Sequence, residues 1–201
     1  MSRAVIVAVV VASAAAFAPG QRRGGATTVT AAATCAADLG LGAASKRRFC
    51  DVVIAATASD SVVVTVPAHA GRATLMFDLH NRFTLPAATA SPAEAFARHS
   101  AQIAVTGADA AIIHRAVVTR EFRSLQDLFD RIGEGGRAGG VKGVGPGEPV
   151  PVTMELPAGI GSAGIIGVRL EEFTFGTTEA YDAPGRAIAI VSNLRLQYTP
   201  Q

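Results

Sequence analysis

The amino-acid sequence predicts an all-β fold, an antiparallel β-sandwich of the jelly-roll or immunoglobulin-like kind with two short helices in its connections. Valine and isoleucine together number 32 against 11 leucines, and β-branched side chains favour sheet over helix. Several short runs alternate apolar and polar residues, and turn-forming residues separate them. Two segments carry signals for a helix start, which is fewer than a parallel α/β sheet requires.

The first 18 residues have the pattern of a secretory signal peptide. Arg3 and the amino terminus precede the apolar run Ala4–Ala18, which is shorter than the roughly 20 residues of a membrane-crossing helix. Cleavage after Ala16, Ala18 or Gly20 fits the pattern, and a short membrane anchor is the alternative interpretation. We therefore expect a secreted or periplasmic protein with no membrane span once the signal is removed.

Residues 19–34 are rich in Gly, Thr and Ala without periodicity and predict a flexible lead-in, whereas residues 35–201 predict a single β-sandwich domain. Cys35 and Cys50 are the two cysteines of the chain. In an oxidising compartment such a pair most simply forms one disulfide, and a loop of this size gains about 3 kcal/mol in the chain-entropy model. The spacing fits neither C-x-x-C redox chemistry nor a zinc site.

Strand signals are dense after Cys50. Val52–Thr57 and Ser61–Val66 flank a short polar segment and predict a β-hairpin. Ala73–Phe83 alternates in a way that is typical of a strand buried on one side and solvated on the other. Its predicted core face consists of Leu75, Phe77, Leu79 and Phe83, and its predicted solvated face of Thr74, Asp78, His80 and Arg82. Further strands are expected at Gln102–Thr106, Ile112–Arg123, Val150–Leu156, Ile165–Phe175 and Ala187–Tyr198.

The two predicted helices follow N-cap patterns. Ser91–Glu94 combines a capping serine, a proline at the first helical position and a glutamate at the third, and predicts a helix over Pro92–His99. A second capping serine, Ser124, precedes apolar residues at helical spacing in Leu125–Ile132. Gly133–Gly147 then holds eight glycines in fifteen residues and predicts an exposed, mobile loop.

Charge and aromatic content exclude several classes of function. The chain has 18 basic and 16 acidic residues, a net charge of +2, so it lacks the basic excess of a nucleic-acid-binding protein. Aromatic residues make up 5% and tryptophan is absent, which disfavours a binding site built on stacking platforms. No cofactor is expected.

Three motifs with catalytic or nucleotide-binding associations do not meet their structural requirements. Gly159–Gly164 matches G-x-G-x-x-G, but strand-like residues follow it where a dinucleotide site needs a helix. Ser162 lacks the glycine two positions earlier that a nucleophile elbow requires, because Ile160 stands there. The glycine-rich loop contains Lys142 but no G-K-[ST], so it is no P-loop. A glycine turn between strands explains the first motif.

The best candidate site is the trio Asp78, His80 and Arg82. Alternate residues of a strand project to the same face about 6.5 to 7 Å apart, so a carboxylate, an imidazole and a guanidinium would line up in water. They could bind a polar ligand or a charged partner strand, and His69 in the preceding turn could come near. The alternative is an ordinary solvated surface ladder. No set of metal ligands is complete, and His114 and His99 are interpreted as structural.

The closing run Ile188–Leu196 resembles the last strand of jelly-roll carbohydrate-binding and galactose-binding-like domains. The resemblance covers nine of 201 residues and implies a sandwich; it carries over no binding residue.

These observations favour a non-enzymatic protein that binds a ligand, a glycan or a protein surface, at the Asp78–His80–Arg82 face. One alternative is an extracellular hydrolase whose residues converge from separate strands, although no nucleophile, base and orienting group are recognisable. A second alternative is an assembly subunit that exchanges a strand, with residues 20–33 as the donated segment.

Overall fold

The computed structural model describes residues 25–83, 97–122, 128–132, 142–174 and 176–201. These residues form antiparallel strands in two sheets, which confirms the predicted β-sandwich. In chain order the strands are β1 (Thr27–Thr30), β2 (Ala32–Cys35), β3 (Asp38–Leu41), β4 (Arg48–Val53), β5 (Val62–Thr65), β6 (His69–Phe83), β7 (Ala97–Thr106), β8 (Ile112–Phe122), β9 (Leu128–Ile132), β10 (Lys142–Pro146), β11 (Val150–Leu156), β12 (Ser162–Thr174), β13 (Thr177–Tyr181) and β14 (Ala187–Pro200).

Each sheet is built around one or two long central strands. In the described residues the first sheet has eight strands, with β14 and β6 paired at its centre. The free side of β14 pairs with β4 and, further along, with β1; the free side of β6 pairs with β11 and β10. The second sheet has six strands in the described residues, with β12 between β7 on one side and β5 and β13 on the other.

The main core lies between the two sheets. Leu75, Phe77 and Leu79 of β6 are almost fully buried there, as their alternation predicts. Ile103 of β7 and Ile165 of β12 belong to the same cluster on the second sheet. Burying a side chain of this size contributes about 1.5 to 3 kcal/mol, so the valine- and isoleucine-rich strands supply the principal stabilisation of the fold.

The first sheet also curls until its two edges meet. Gly42, just after β3, forms an antiparallel bridge with Ile132 of β9, although β3 and β9 stand at opposite ends of the strand order. The curl encloses a second apolar cluster on the face of the sheet that points away from the main core. This cluster contains Phe49, Ile132, Val144 and Ile190, with Leu39 and Phe129 packed against it.

The predicted hairpin of Val52–Thr57 with Ser61–Val66 is wrong. The corresponding strands, β4 and β5, lie in different sheets, and the connection between them contains a single 3-10 turn at Ala58–Asp60. Each sheet needs apolar strands that face the main core. β4 supplies such a strand to the first sheet and β5 to the second. Sequence proximity therefore did not decide which strands pair.

The two predicted helices are not found in the described residues. Ala97–His99, the end of the first, belongs to β7, and Leu128–Ile132 of the second forms β9; residues 92–96 and 124–127 lie outside the described residues. Pairing with β12 and β10 overrides the local helical pattern. In the predicted glycine loop, Lys142–Pro146 forms β10, and residues 133–141 are outside the described part.

The disulfide between Cys35 and Cys50 is present and joins β2 of the second sheet to β4 of the first. Thr27–Cys35 forms two short strands, one in each sheet, where the sequence predicted a flexible lead-in. The predicted signal peptide, residues 1–18, lies outside the described residues. Within the described residues, no helix has the length and apolar character that crossing a membrane requires.

Candidate functional site

Two members of the predicted trio, Asp78 and His80, are buried rather than solvated, whereas the side chain of Arg82 is 30% exposed. Asp78 is 8% exposed and His80 is 2% exposed, because both lie on the face of β6 that the curled sheet encloses. Ile190 pairs with His80, and Ser192 pairs with Asp78, from the neighbouring strand β14. The alternation correctly separates two faces of β6, but both faces are covered.

The side chains of Asp78 and Arg82 have partners outside β6. Arg47 donates from Nη1 to Asp78 Oδ2 at 2.6 Å, and Asn193 donates from Nδ2 to the same oxygen at 3.2 Å. Arg82 donates from Nε to Asp51 Oδ1 at 2.9 Å. Both charges are therefore paired with groups on other elements.

His80 is a neutral, buried histidine. A hydrogen bond joins its Nε2 to Ser192 Oγ at 2.9 Å, and its ring lies 5.4 Å from that of Phe49 and 5.0 Å from that of Phe129. Burial lowers the pKa of His80 to about 4, against the opposing effect of the Asp78 carboxylate. Nδ1 is buried and has no hydrogen-bond partner among the described residues.

Ser192 and His80 have the spacing of a nucleophile and its base, but not the setting. A catalytic histidine needs a third group that orients its other nitrogen, and His80 Nδ1 has none among the described residues. Ser192 and His80 are also 1% and 2% exposed. A substrate could not reach the hydroxyl without opening the sheet.

Asp130 attaches β9 to the turn that follows β3. Its carboxylate accepts hydrogen bonds from the backbone N–H groups of Ala44 at 3.0 Å and Ser45 at 2.9 Å. Gly42 starts this turn, and a Cβ there would overlap the Asp130 carboxylate and lie 2.7 Å from Phe49 Cε2. The closure of the curled sheet therefore requires glycine at position 42.

A β-bulge in β14 aims Asn193 at Asp78. The pairing of β14 with β6 shifts between Ser192 and Arg195, so β14 holds one extra residue there. Asn193 adopts a left-handed conformation with φ of 55°, which asparagine tolerates better than most residues. Sequence reasoning missed this bulge, although the polar pair Ser192-Asn193 inside an apolar strand was a usable signal.

A pocket of about 510 Å³ opens beside this bulge. It lies beside β14, at the point where the strand paired with β14 changes from β4 to β1. Residues 30–33, where the chain passes from β1 to β2, belong to its lining. Its lining is mostly small and apolar, and Cys35 and Cys50 of the disulfide belong to it. The lining residues are Thr30, Ala31, Ala32, Ala33, Cys35, Arg47, Arg48, Cys50, Asn193 and Leu194.

Two arginines supply the charge of the pocket. Arg47 is held by Asp78 as described, and Arg48 is paired with Asp38, to which it donates from Nε at 3.2 Å. The hydrogen bonds from Arg48, and then that from the Gly40 N–H, lower the pKa of Asp38. The sequence drew no attention to Arg47 or Arg48 individually, because their proximity to Asn193 depends on the fold.

The other histidines do not join the trio. His69 lies at the opposite end of β6 from His80, eleven residues or about 35 Å along an extended strand. His99 lies in β7 with Nδ1 3.5 Å from Glu172, and burial lowers its pKa. His114 donates from Nε2 to the Glu155 carbonyl at 2.7 Å.

Among the described residues, no group of three or more His, Cys, Asp and Glu side chains could hold a metal ion. We found no match to this sequence among protein-family models or curated proteins, and no match among solved structures.

Proposed function

We propose that this protein is a non-enzymatic, secreted or periplasmic binding protein whose ligand is a small molecule held in the pocket beside the β14 bulge. The observation that carries the proposal is the pocket itself. Its volume of about 510 Å³ lies within the roughly 300 to 1,000 Å³ of small-molecule sites, which are mostly apolar and hold a few converging polar groups.

The polar groups of the pocket are positioned before any ligand arrives. Asp78 accepts hydrogen bonds from both Arg47 and Asn193, and Asp78 is itself nearly buried. The disulfide attaches the β2 side of the pocket to the β4 side. Preorganisation of this kind reduces the entropy that binding costs. The buried Asp78 would therefore contribute to the site by holding Arg47 and Asn193, although it does not itself line the pocket.

Two observations support the other parts of the proposal. Disulfides form and persist in oxidising compartments, which agrees with the signal peptide predicted for residues 1–18. None of the described residues that line the pocket has an aromatic side chain on which a sugar ring could stack, so a glycan fits it less well than a compact apolar molecule.

The chain has no tryptophan, so one introduced tryptophan can report on the pocket alone. We expect the emission of an Ala32→Trp variant to change saturably, with one site per chain, as decanol or decanoate is added below its micelle concentration. Val117→Trp, on an exposed residue of β8 that does not line this pocket, is the matched control and should not respond. A flat titration with both probes in Ala32→Trp would refute the proposal.

A hydrolase is the second candidate, favoured by the 2.9 Å hydrogen bond between His80 and Ser192. Burial of both side chains argues against it. We expect no labelling by a fluorophosphonate, a reagent that modifies activated serines. Labelling of the protein that disappears in Ser192→Ala would favour the hydrolase instead.

Strand exchange has less support. Part of the segment that would be donated, Thr27–Thr30, pairs with residues 195–198 of its own chain.

A further inference from the structure

We infer that the ligand of the pocket beside the β14 bulge carries an anionic group on an apolar body, as a medium-chain carboxylate does. The inference rests on the proposed function and adds to it the chemical class of the ligand. Ten of the described residues line the pocket, and the two of these with charged side chains are both arginines, Arg47 and Arg48. None of the ten has a carboxylate.

Both guanidinium groups keep hydrogen-bond donors for a ligand. A guanidinium has five N–H donors. Among the described residues, Arg47 uses Nη1 for Asp78, and Arg48 uses Nε and Nη2 for Asp38. Both arginines line the pocket, and a carboxylate or sulfate could accept from their remaining N–H groups in the bidentate manner that arginine favours.

Arg47 and Arg48 each pair with one carboxylate, Asp78 and Asp38 respectively. Neither carboxylate is among the described residues that line the pocket. The side chains of Arg47 and Arg48 are 41% and 68% exposed. Arg48 pairs with the part-exposed Asp38, so it can turn toward a bound anion without leaving a buried carboxylate unpaired. The Asn193 amide, fixed by the bulge, adds a polar group on the opposite strand.

The rest of the lining requires an apolar ligand body. Ala31, Ala33 and Leu194 lie beside the disulfide, and Ala31 and Cys50 are buried. A small inorganic anion would leave this surface empty, whereas an aliphatic or aromatic group would cover it and gain its hydrophobic free energy. The combination of an apolar lining with two arginines therefore specifies an anionic amphiphile.

The test compares probes that share a chain and differ in the head group. Decanoate, decanol and decyltrimethylammonium are titrated into Ala32→Trp protein below their micelle concentrations. We expect decanoate to bind about ten-fold more tightly than decanol, since a charge-assisted hydrogen bond is roughly twice as strong as a neutral one, and the ammonium probe to bind most weakly. Added salt should weaken the binding of decanoate and leave the binding of decanol unchanged.

The arginine contribution is tested with Arg48→Gln in the same reporter background. Its side chain is exposed, so the variant is expected to fold, and thermal unfolding verifies this. We expect the preference for decanoate over decanol to fall about three-fold or more. Arg72→Gln is the matched control: Arg72 is 72% exposed, pairs with Glu155 and lies outside the pocket. It should keep the wild-type preference.

The outcomes separate the inference from the function on which it rests. Equal binding of decanoate and decanol, tighter binding of the ammonium probe, or an unchanged preference in folded Arg48→Gln would overturn the anionic ligand and leave the pocket as a binding site. A reporter that responds to none of the three probes would overturn the proposed function and this inference together.

Discussion

At the scale of single residues, the most informative side chain is His80. Its ring lies between those of Phe49 and Phe129 and is hydrogen-bonded to Ser192. The sequence predicted instead that this side chain would face solvent. A buried neutral histidine makes the free energy of unfolding depend on pH, because over a range of pH the unfolded chain binds a proton at this side chain and the folded chain does not.

We predict that His80 makes the fold lose stability in mild acid. Its pKa is about 4 in the folded chain against 6.5 unfolded. Between these values only the unfolded chain binds the proton, so the free energy of unfolding falls as pH drops from 6.5 to 4, by about 3 kcal/mol in total. Urea denaturation at pH 7 and pH 4 should show this loss in wild type and a loss about 3 kcal/mol smaller in His80→Gln.

The glutamine keeps a polar group beside Ser192 and does not titrate. His114→Gln, at a half-exposed histidine, is the control and should keep the wild-type difference between the two pH values. If His80→Gln loses as much stability as wild type, His80 is not the group responsible.

Gly42 is the second residue on which the enclosed cluster depends. We predict that Gly42→Ala lowers the free energy of unfolding by about 1 to 3 kcal/mol, the usual cost of overpacking, because its Cβ would overlap Asp130 and crowd Phe49. Gly161→Ala, where a Cβ would have nothing within 4 Å, should leave the urea midpoint nearly unchanged. Equal midpoints for the two variants would contradict the closure of the sheet at Gly42.

At the scale of elements, the bulge in β14 decides where the pocket forms. β14 must pair with β6 along its whole length and with β4 and β1 in succession on its other side. The extra residue lies where the partner of β14 changes between β4 and β1, and it turns Asn193 toward Asp78. Without the bulge, the side chain of residue 193 would follow the regular alternation of side chains between the two faces of the sheet.

We predict that position 193 distinguishes residues by their tolerance of positive φ. Asn193→Gly keeps the left-handed backbone and loses only the amide, whereas Asn193→Val forces a β-branched residue to φ of 55°. The valine variant should be less stable than the glycine variant by about 1 to 2 kcal/mol in thermal unfolding. A valine variant as stable as the glycine variant would mean that the bulge does not form at this residue.

At the scale of the whole molecule, the disulfide adds a covalent cross-link between the two sheets. It closes a sequence separation of 15 residues, for which the chain-entropy model gives about 3 kcal/mol. We predict that the double variant Cys35→Ser, Cys50→Ser loses stability of this order in urea denaturation and binds the pocket probes more weakly, because Cys35 and Cys50 line the pocket. Wild type treated with reductant should match the double variant. An unchanged midpoint in both would remove the disulfide from the stability of the fold.

The two helices show the limit of local pattern at this scale. Leu128, Phe129 and Ile132 have helical spacing, yet β9 forms because four of its residues pair with residues of β10. Residues 97–99 join β7 for the same reason, opposite β8 and β12. Local preference amounts to a few tenths of a kcal/mol per residue, which a paired strand with a buried face readily exceeds.

Local properties of the chain, namely β-branched composition, period-two alternation and residue type, are enough to predict the fold class, most of the long strands, the inward positions of Leu75, Phe77 and Leu79, and the cysteine pair. Only the folded chain shows that β4 and β5 lie in different sheets, that Asp78 and His80 are buried, and that Arg47, Arg48 and Asn193 line one pocket. These depend on how the first sheet curls and where β14 gains a residue. Alternation separates the two faces of a strand, but only the packed chain determines what covers each face.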